Sequence, residues 1–225
     1  MRILVLDSAL ARCTAAVVAD AAVVTARSEA RRQGHETVLP VMARDVLAEA
    51  GGDGIDLIAV TVGPGSFTGI RAGLALAHGI GLALGVPVVG VTVGEAIAEA
   101  FPALGDPALG DRALWTVTDS RRGHIFLERG GETVSLAQDA LPMPAGKVAI
   151  AGSAAVPVAA RLAAAGANVM LTDARFAMPR HIALVAARRH AGALPPREAQ
   201  PLYVDPVEAK LPAGGLRPPP GTSGL

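Results

Sequence analysis

Gly63-Pro64-Gly65-Ser66-Phe67-Thr68-Gly69-Ile70-Arg71 stands between an apolar, β-branched run at residues 55–62 and a long Ala/Leu/Gly stretch at residues 72–85. That order reads as strand, glycine-rich turn and helix start. Its glycines let the backbone pass close to another group. The helix N-terminus that follows presents free N–H groups, which suit an anion or a partner's carbonyls. Two roles stay open for the turn: capping with tight packing, which is the expectation, and anion contact. Ser66 or Thr68 is the natural N-cap. A Walker phosphate loop fails, because Ile70-Arg71 follows Gly69 where Lys-Ser/Thr is required. A nucleophile elbow fails as well, because Ser66 follows Gly65 directly and no Gly-x-Ser-x-Gly forms.

Around this turn the chain alternates strands and helices. Residues 2–6 form a strand ending in Asp7-Ser8, followed by β-rich runs at 14–18 and 22–25. Residues 35–50 carry Val38, Leu39, Met42 and Val46 at helical spacing and read as an amphipathic helix, with Pro40 in its first turn or marking a kink. After the strand at 55–62 come a helix at 69–84, a strand at 86–91 and a short helix at 95–99. A Pro/Gly/Asp-rich stretch at 102–111 reads as a boundary. Beyond it the order begins again: a strand at 113–118 ending in Asp119-Ser120, a hairpin at 125–136, a strand at 147–151, a weaker helix at 154–165 and a strand at 169–172. This repeat of order reads as an internal duplication. A helix at 179–193 and a proline-rich end follow.

Charge and composition narrow the function classes. Lys+Arg and Asp+Glu are 20 each, for a formal net charge of +0, so no basic footprint supports stand-alone nucleic-acid binding. Aromatic residues are 3%, which leaves few stacking platforms for bases. The single Cys13 rules out an internal disulfide and a cysteine metal cluster, and fits a reducing compartment. No signal peptide is expected, since the first apolar run reaches Asp7 so soon. Residues 74–93 are apolar, but His78, Gly79, Gly81, Gly85 and Pro87 interrupt them, so a buried helix–strand unit is expected rather than a membrane span.

Candidate chemistry is sparse. No two of His35, His78, His124, His181 and His190 lie three or four residues apart on a helix, so solvated or capping roles are expected and no metal site. Asp7 and Asp119 each end the first strand of a repeat, which puts them in line to flank a cleft; an Asx-turn at each is the expectation, because Ser8-Ala9-Leu10-Ala11 has no glycine to admit a phosphate. Gly73, Ala77, Gly81 and Gly85 form a small-residue stripe on the second helix. Interior glycines at 73, 79 and 81 forfeit roughly 3 kcal/mol relative to alanine, so close approach of another helix, within the chain or from a partner, is expected.

These residues resemble the TsaB (YeaZ) family: Asp7-Ser8 after the first strand, His35-Glu36-x-x-Leu39-Pro40, the glycine turn from Gly63 to Arg71, Asp119-Ser120-Arg121-Arg122, and Pro201-Leu202-Tyr203-Val204. The resemblance covers roughly residues 1–207, with the glycine turn its specific element. It implies an α/β, duplicated actin-like (ribonuclease H-like) fold of two lobes with mixed sheets: residues 1–101, residues 102–207, and a disordered tail at 208–225. Family members are similar to the TsaD transferase but lack its metal-binding histidines and nucleotide loops. The family serves bacterial tRNA modification, placing a threonylcarbamoyl group on the adenosine 3′-adjacent to the anticodon. TsaC-type enzymes make threonylcarbamoyl-adenylate, TsaD transfers the group, TsaB is its required scaffold and TsaE an accessory ATPase.

What the resemblance implies here is a catalytically silent, cytoplasmic subunit with no membrane segment. It would pair with TsaD or with itself through the first two helices, meeting tRNA only through the complex. The expected interface is Val38, Leu39, Met42, Val46, Gly73, Leu74, Ala77, His78, Gly81 and Leu82. The glycine turn, Gly63, Pro64, Gly65, Ser66, Phe67, Thr68, Gly69 and Arg71, is expected as a structural or inter-subunit element. No cofactor is expected, and nucleotide only at the partner interface. The alternatives are an actin-like-fold enzyme in its own right, a metallopeptidase or small-molecule kinase, or a homodimeric binding module. Two departures stand out: Asp-Ser-Ala replaces the usual Asp-Thr-Ser after the first strand, and Asp205 stands where a basic residue is common.

Overall fold

The computed structural model describes residues 1–31, 34–51, 54–101, 109–120 and 123–204. Arg121, Arg122, Asp205, the lobe boundary expected at residue 102 and the tail expected at 208–225 lie outside them.

Each half of the chain builds one five-stranded sheet of the same topology. The first half gives β1 (Arg2–Asp7), β2 (Arg12–Ala19), β3 (Ala22–Ala30), β4 (Leu57–Gly63) and β5 (Val88–Thr92), in the order β3-β2-β1-β4-β5. The second gives β6 (Ala113–Asp119), β7 (His124–Arg129), β8 (Glu132–Ala137), β9 (Val148–Ala151) and β10 (Val169–Leu171), in the order β10-β9-β6-β7-β8. In both, the first strand runs antiparallel to the second and parallel to the fourth, with Asp7 opposite Thr14 and Asp119 opposite Ile125. The duplication expected from strand order is therefore a duplication of sheet topology.

Helices fill the connections unevenly. In the first half α1 (His35–Glu49) joins β3 to β4 and α2 (Phe67–Leu84) joins β4 to β5. In the second half a short 3₁₀ turn (Gln138–Ala140) replaces the first of these, and only α4 (Ala155–Ala164) remains, between β9 and β10. A six-residue α3 (Val93–Ala98) follows β5, opened by a capping box in which Thr92 and Glu95 satisfy each other's backbone donors. Pro40 lies in the second turn of α1 and is exposed, later than expected. Strand β3 runs to Ala30, beyond the expected run at 22–25, because β2 pairs with it from Arg12 onward. Its polar stretch with Arg27 and Glu29 is an exposed edge, where charge discourages further pairing.

The first sheet is packed on both faces, which is why β1 and β4 read as unbroken apolar runs. One face carries α1 and α2 over Leu4, Leu6, Ile58, Val60 and Val62. The opposite face carries α5 (Pro179–His190), whose Ile182, Ala183, Val185 and Ala186 pack on Ile3, Val5, Leu57 and Ala59. Residues 179–194, beyond the second sheet in sequence, thus pack on the first lobe. Arg189 of α5 is buried there, donating to the carbonyls of Gly90 at 2.7 Å and Pro195 at 2.8 Å and pairing with Glu95 at 2.5 Å. The Leu202 amide donates to the Val62 carbonyl at 2.8 Å, tying residue 202 to the end of β4.

Gly73, Ala77 and Gly81 of the small-residue stripe also face inward, whereas Gly85 is the exposed C-cap of α2. A Cβ on Gly73 would stand 2.7 Å from Ser8 Oγ, and one on Gly81 would stand 2.6 Å from Val88 Cγ2. The helix is drawn onto the chain's own sheet, so the offset for these glycines is intramolecular. Gly79 differs, since an added Cβ there meets nothing within 4 Å. Gly79→Ala is therefore expected to stabilise the fold by about 0.5–1 kcal/mol, measured as a rise of roughly 2 °C in the thermal midpoint.

Candidate functional site

The glycine turn is a packing element. Ser66 caps α2, accepting from the Gly69 amide at 3.3 Å, and the Gly63–Pro64 bond is cis. A Cβ on Gly65 would overlap the Ala9 carbonyl and stand 2.7 Å from its carbon; one on Gly69 would overlap the Ser8 carbonyl oxygen. The Ser66 amide donates to Ala9 at 2.7 Å, and Ser8 Oγ donates to the Gly69 carbonyl at 2.8 Å. The turn is thus sewn to the β1–β2 connection, where Ser8, Ala9 and Leu10 are buried. The turn and the β1–β2 connection are in direct contact, with no room for a Cβ between them.

Asp7 is buried beside that seam. Its carboxylate accepts from Thr61 Oγ1 at 2.7 Å and from the Ala9 amide at 3.1 Å. The second bond, two residues ahead, is the expected Asx-turn. Burial pushes its pKa up; the Thr61 and Ala9 bonds and the charges of His35 and Arg12 pull it down. Asp119 sits in a different environment: it is exposed, and its amide donates to Ser153 Oγ at 3.1 Å. The two carboxylates therefore sit in unlike environments, one buried and one exposed. Of the histidines expected in solvated or capping roles, His35 is buried at the start of α1 near Asp7 and so is not solvated. His78 Nε2 meets the Ala199 carbonyl at 2.8 Å and ties α2 to the end of the chain. Among the described residues no three His, Cys, Asp or Glu side chains are grouped to hold a metal ion.

The ten residues expected at a partner interface divide by helix face. Leu39, Val46, Gly73, Leu74, Ala77 and Gly81 are buried in the chain's own core and are corrected out of that surface. Val38 and Met42 are half-buried, while His78 and Leu82 are exposed. The outward stripe of α2 is Phe67, Arg71, Ala75, His78 and Leu82, at spacings of four, four, three and four residues. Leu82 is 88% exposed, and Val41 of the adjacent α1 is 46% exposed. This side of the molecule also holds a cluster the sequence did not suggest. The Arg71 guanidinium lies 3.8 Å over the Phe67 ring and Arg71 Nε donates to Tyr203 Oη at 2.9 Å, with the rings 5.9 Å apart. Residues separated by more than 130 positions meet there through the return of the chain, which no local pattern encodes.

By length and composition alone, α2 is long and apolar enough to cross a membrane, the one described helix that is. Its inner face packs on α1 and β4, and its outer face exposes Phe67 and Leu82 beside Arg71 and His78.

Comparison with known proteins places this architecture. The family model for tRNA N6-adenosine threonylcarbamoyltransferase, TsaD, matches residues 26–191. A protein of Mycobacterium tuberculosis, itself uncharacterized, is 36% identical over 162 residues, covering 67% of this chain and 72% of that protein. The tRNA threonylcarbamoyladenosine biosynthesis protein TsaB of Escherichia coli is 36% identical over 94 residues, 41% of this chain and 40% of that protein. The structure of YeaZ from Pseudomonas aeruginosa superposes with a TM-score of 0.67 at 22% identity, covering 90% of this chain and 99% of that one, which shows a shared fold.

Proposed function

From the premise that this chain belongs to the TsaD family, as a member of its TsaB/YeaZ type, we propose that it is a non-catalytic subunit of tRNA threonylcarbamoyladenosine formation. It pairs with a TsaD-type transferase and holds it competent. The observation that carries the reading is the outward face of α1 and α2, where Val41, Phe67 and Leu82 are exposed on helices whose inner faces are already satisfied. A rigid apolar face with an Arg–aromatic cluster at one end has the composition of an interface anchor. The packed seam between the glycine turn and the β1–β2 connection supports a structural role for both elements.

On this reading the chain needs no cofactor of its own, and nucleotide enters only at the partner interface. tRNA and a TsaE-type ATPase join through the complex, in the cytoplasm. Without a transferase the same face seats a second copy of the chain. The test is light scattering of the purified chain alone and mixed with the TsaD protein of the same organism. A stable mixed complex formed at the expense of self-pairs is the expected result. No complex, with nucleotide and tRNA both present, overturns the proposal.

A further inference from the structure

The two lobes meet where β7 of the second sheet lies against the start of α3 in the first. Glu128 on β7 brings its carboxyl so close to Gly94 that a Cβ there would overlap it, 2.8 Å from Oε1. Thr133 on β8 donates to Oε1 at 3.3 Å, and Oε2 is enclosed without a well-formed hydrogen bond. A cavity of about 180 Å³ opens beside this contact, lined by Thr92, Glu95, Thr116, Arg129 and Arg197 among others.

The charges around Glu128 are already engaged. From α3 comes Glu95, which pairs with Arg189 of α5 at 2.5 Å and with Arg197 of the returning segment at 3.6 Å. Arg129, next on β7, lies 5.3 Å over the Trp115 ring of β6 and stands opposite Glu132 of β8. β6 places only Thr116 opposite Glu128 itself. The cations near the seam thus serve Glu95 or an aromatic ring, while Glu95 presents like charge.

We propose that Glu128 is a proton-sensitive latch between the lobes. Protonated, its carboxyl sits as a neutral hydrogen-bonding group against Thr92 and Gly94; ionised, it opposes Glu95 in an enclosed seam and the contact loosens. Burial pushes the carboxyl up from 4.5 to about 7, with Glu95 adding to the rise and Thr92, Gly94 and Thr133 opposing it. The closed seam binds the proton more tightly than the open one. Its advantage is therefore fully present below 4.5 and is lost as pH rises through about 7.

Amide hydrogen exchange of the full chain tests this, read at residues 93–98 and 124–129 and corrected for intrinsic exchange. Opening of the seam is expected to rise about tenfold from pH 6 to pH 8, the ratio those two values set. Glu128→Gln, isosteric and neutral throughout, is expected to open about 30-fold less than the wild type at pH 6 and to show no change between pH 6 and pH 8. Gly94→Ala, which displaces the end of one side chain and no backbone, is expected to expel the carboxyl and give a raised, pH-independent level. A flat wild-type profile, or a tenfold rise that survives in Glu128→Gln, overturns the latch.

Discussion

Leu82→Asp is expected to abolish pairing with the TsaD-type transferase while leaving the subunit folded. Leu82 is 88% exposed, so an aspartate in its place stays hydrated in the free chain, and the change in thermal stability should stay within about 0.5 kcal/mol. In a complex through α2 the same carboxylate is taken into an apolar interface without a partner charge. That penalty, with the lost contact, is on the order of 3 kcal/mol, or roughly 100-fold in Kd. The neighbouring position supplies the contrast. Gly81 faces the opposite way, with Val88 Cγ2 2.6 Å from where its Cβ would stand, so Gly81→Leu should fail at folding before pairing is tested. Titration calorimetry against the transferase, with a thermal melt of each variant, separates the two effects. Wild-type affinity in Leu82→Asp would remove this face from the interface.

That contrast also shows where reading the sequence reached its limit. The helix at residues 69–84 and its small-residue stripe follow from spacing alone, and both are present in α2. Spacing groups residues on one face; it does not say whether the face meets the chain's own sheet or another protein. Small residues mark close approach in either case, and here the close neighbours are Ser8, Val88 and the backbone at Val86. The outward stripe was harder to see because it is mixed, with Arg71, Ala75 and His78 between Phe67 and Leu82. The repeated strand order was legible because each sheet is built by neighbours in sequence. The return of α5 to the first lobe was not, since Ile182 and Val185 carry a helical pattern whose partners on the first sheet lie more than 90 residues earlier. Glu128 likewise gave no signal: an acidic residue on a polar hairpin looks solvated until α3 closes over it.

Gly69→Ala, with Gly65→Ala beside it, is expected to be among the most damaging small substitutions at the described residues. Each new methyl group would overlap a backbone carbonyl of the β1–β2 connection, Ser8 in one case and Ala9 in the other. A side chain in the way can rotate, whereas a carbonyl moves only with its strand. Both carbonyls belong to the stretch that carries buried Asp7 and its bond from Thr61 at 2.7 Å. Separation would also break the two bonds that join the layers, Ser66 N to the Ala9 carbonyl at 2.7 Å and Ser8 Oγ to the Gly69 carbonyl at 2.8 Å. Leaving such groups buried and unpaired costs about 1–3 kcal/mol each. A loss of about 3–4 kcal/mol is the expected outcome, seen as a fall of roughly 10 °C in the thermal midpoint. The same experiment separates a packing turn from a ligand-binding one. An open anion loop would tolerate alanine at these positions with little change in stability and a change only in what it binds. A near-wild-type melt for both variants would reopen that role; a shared loss, beside the gain expected for Gly79→Ala on the same helix, assigns these glycines to the contact between the turn and the first strand.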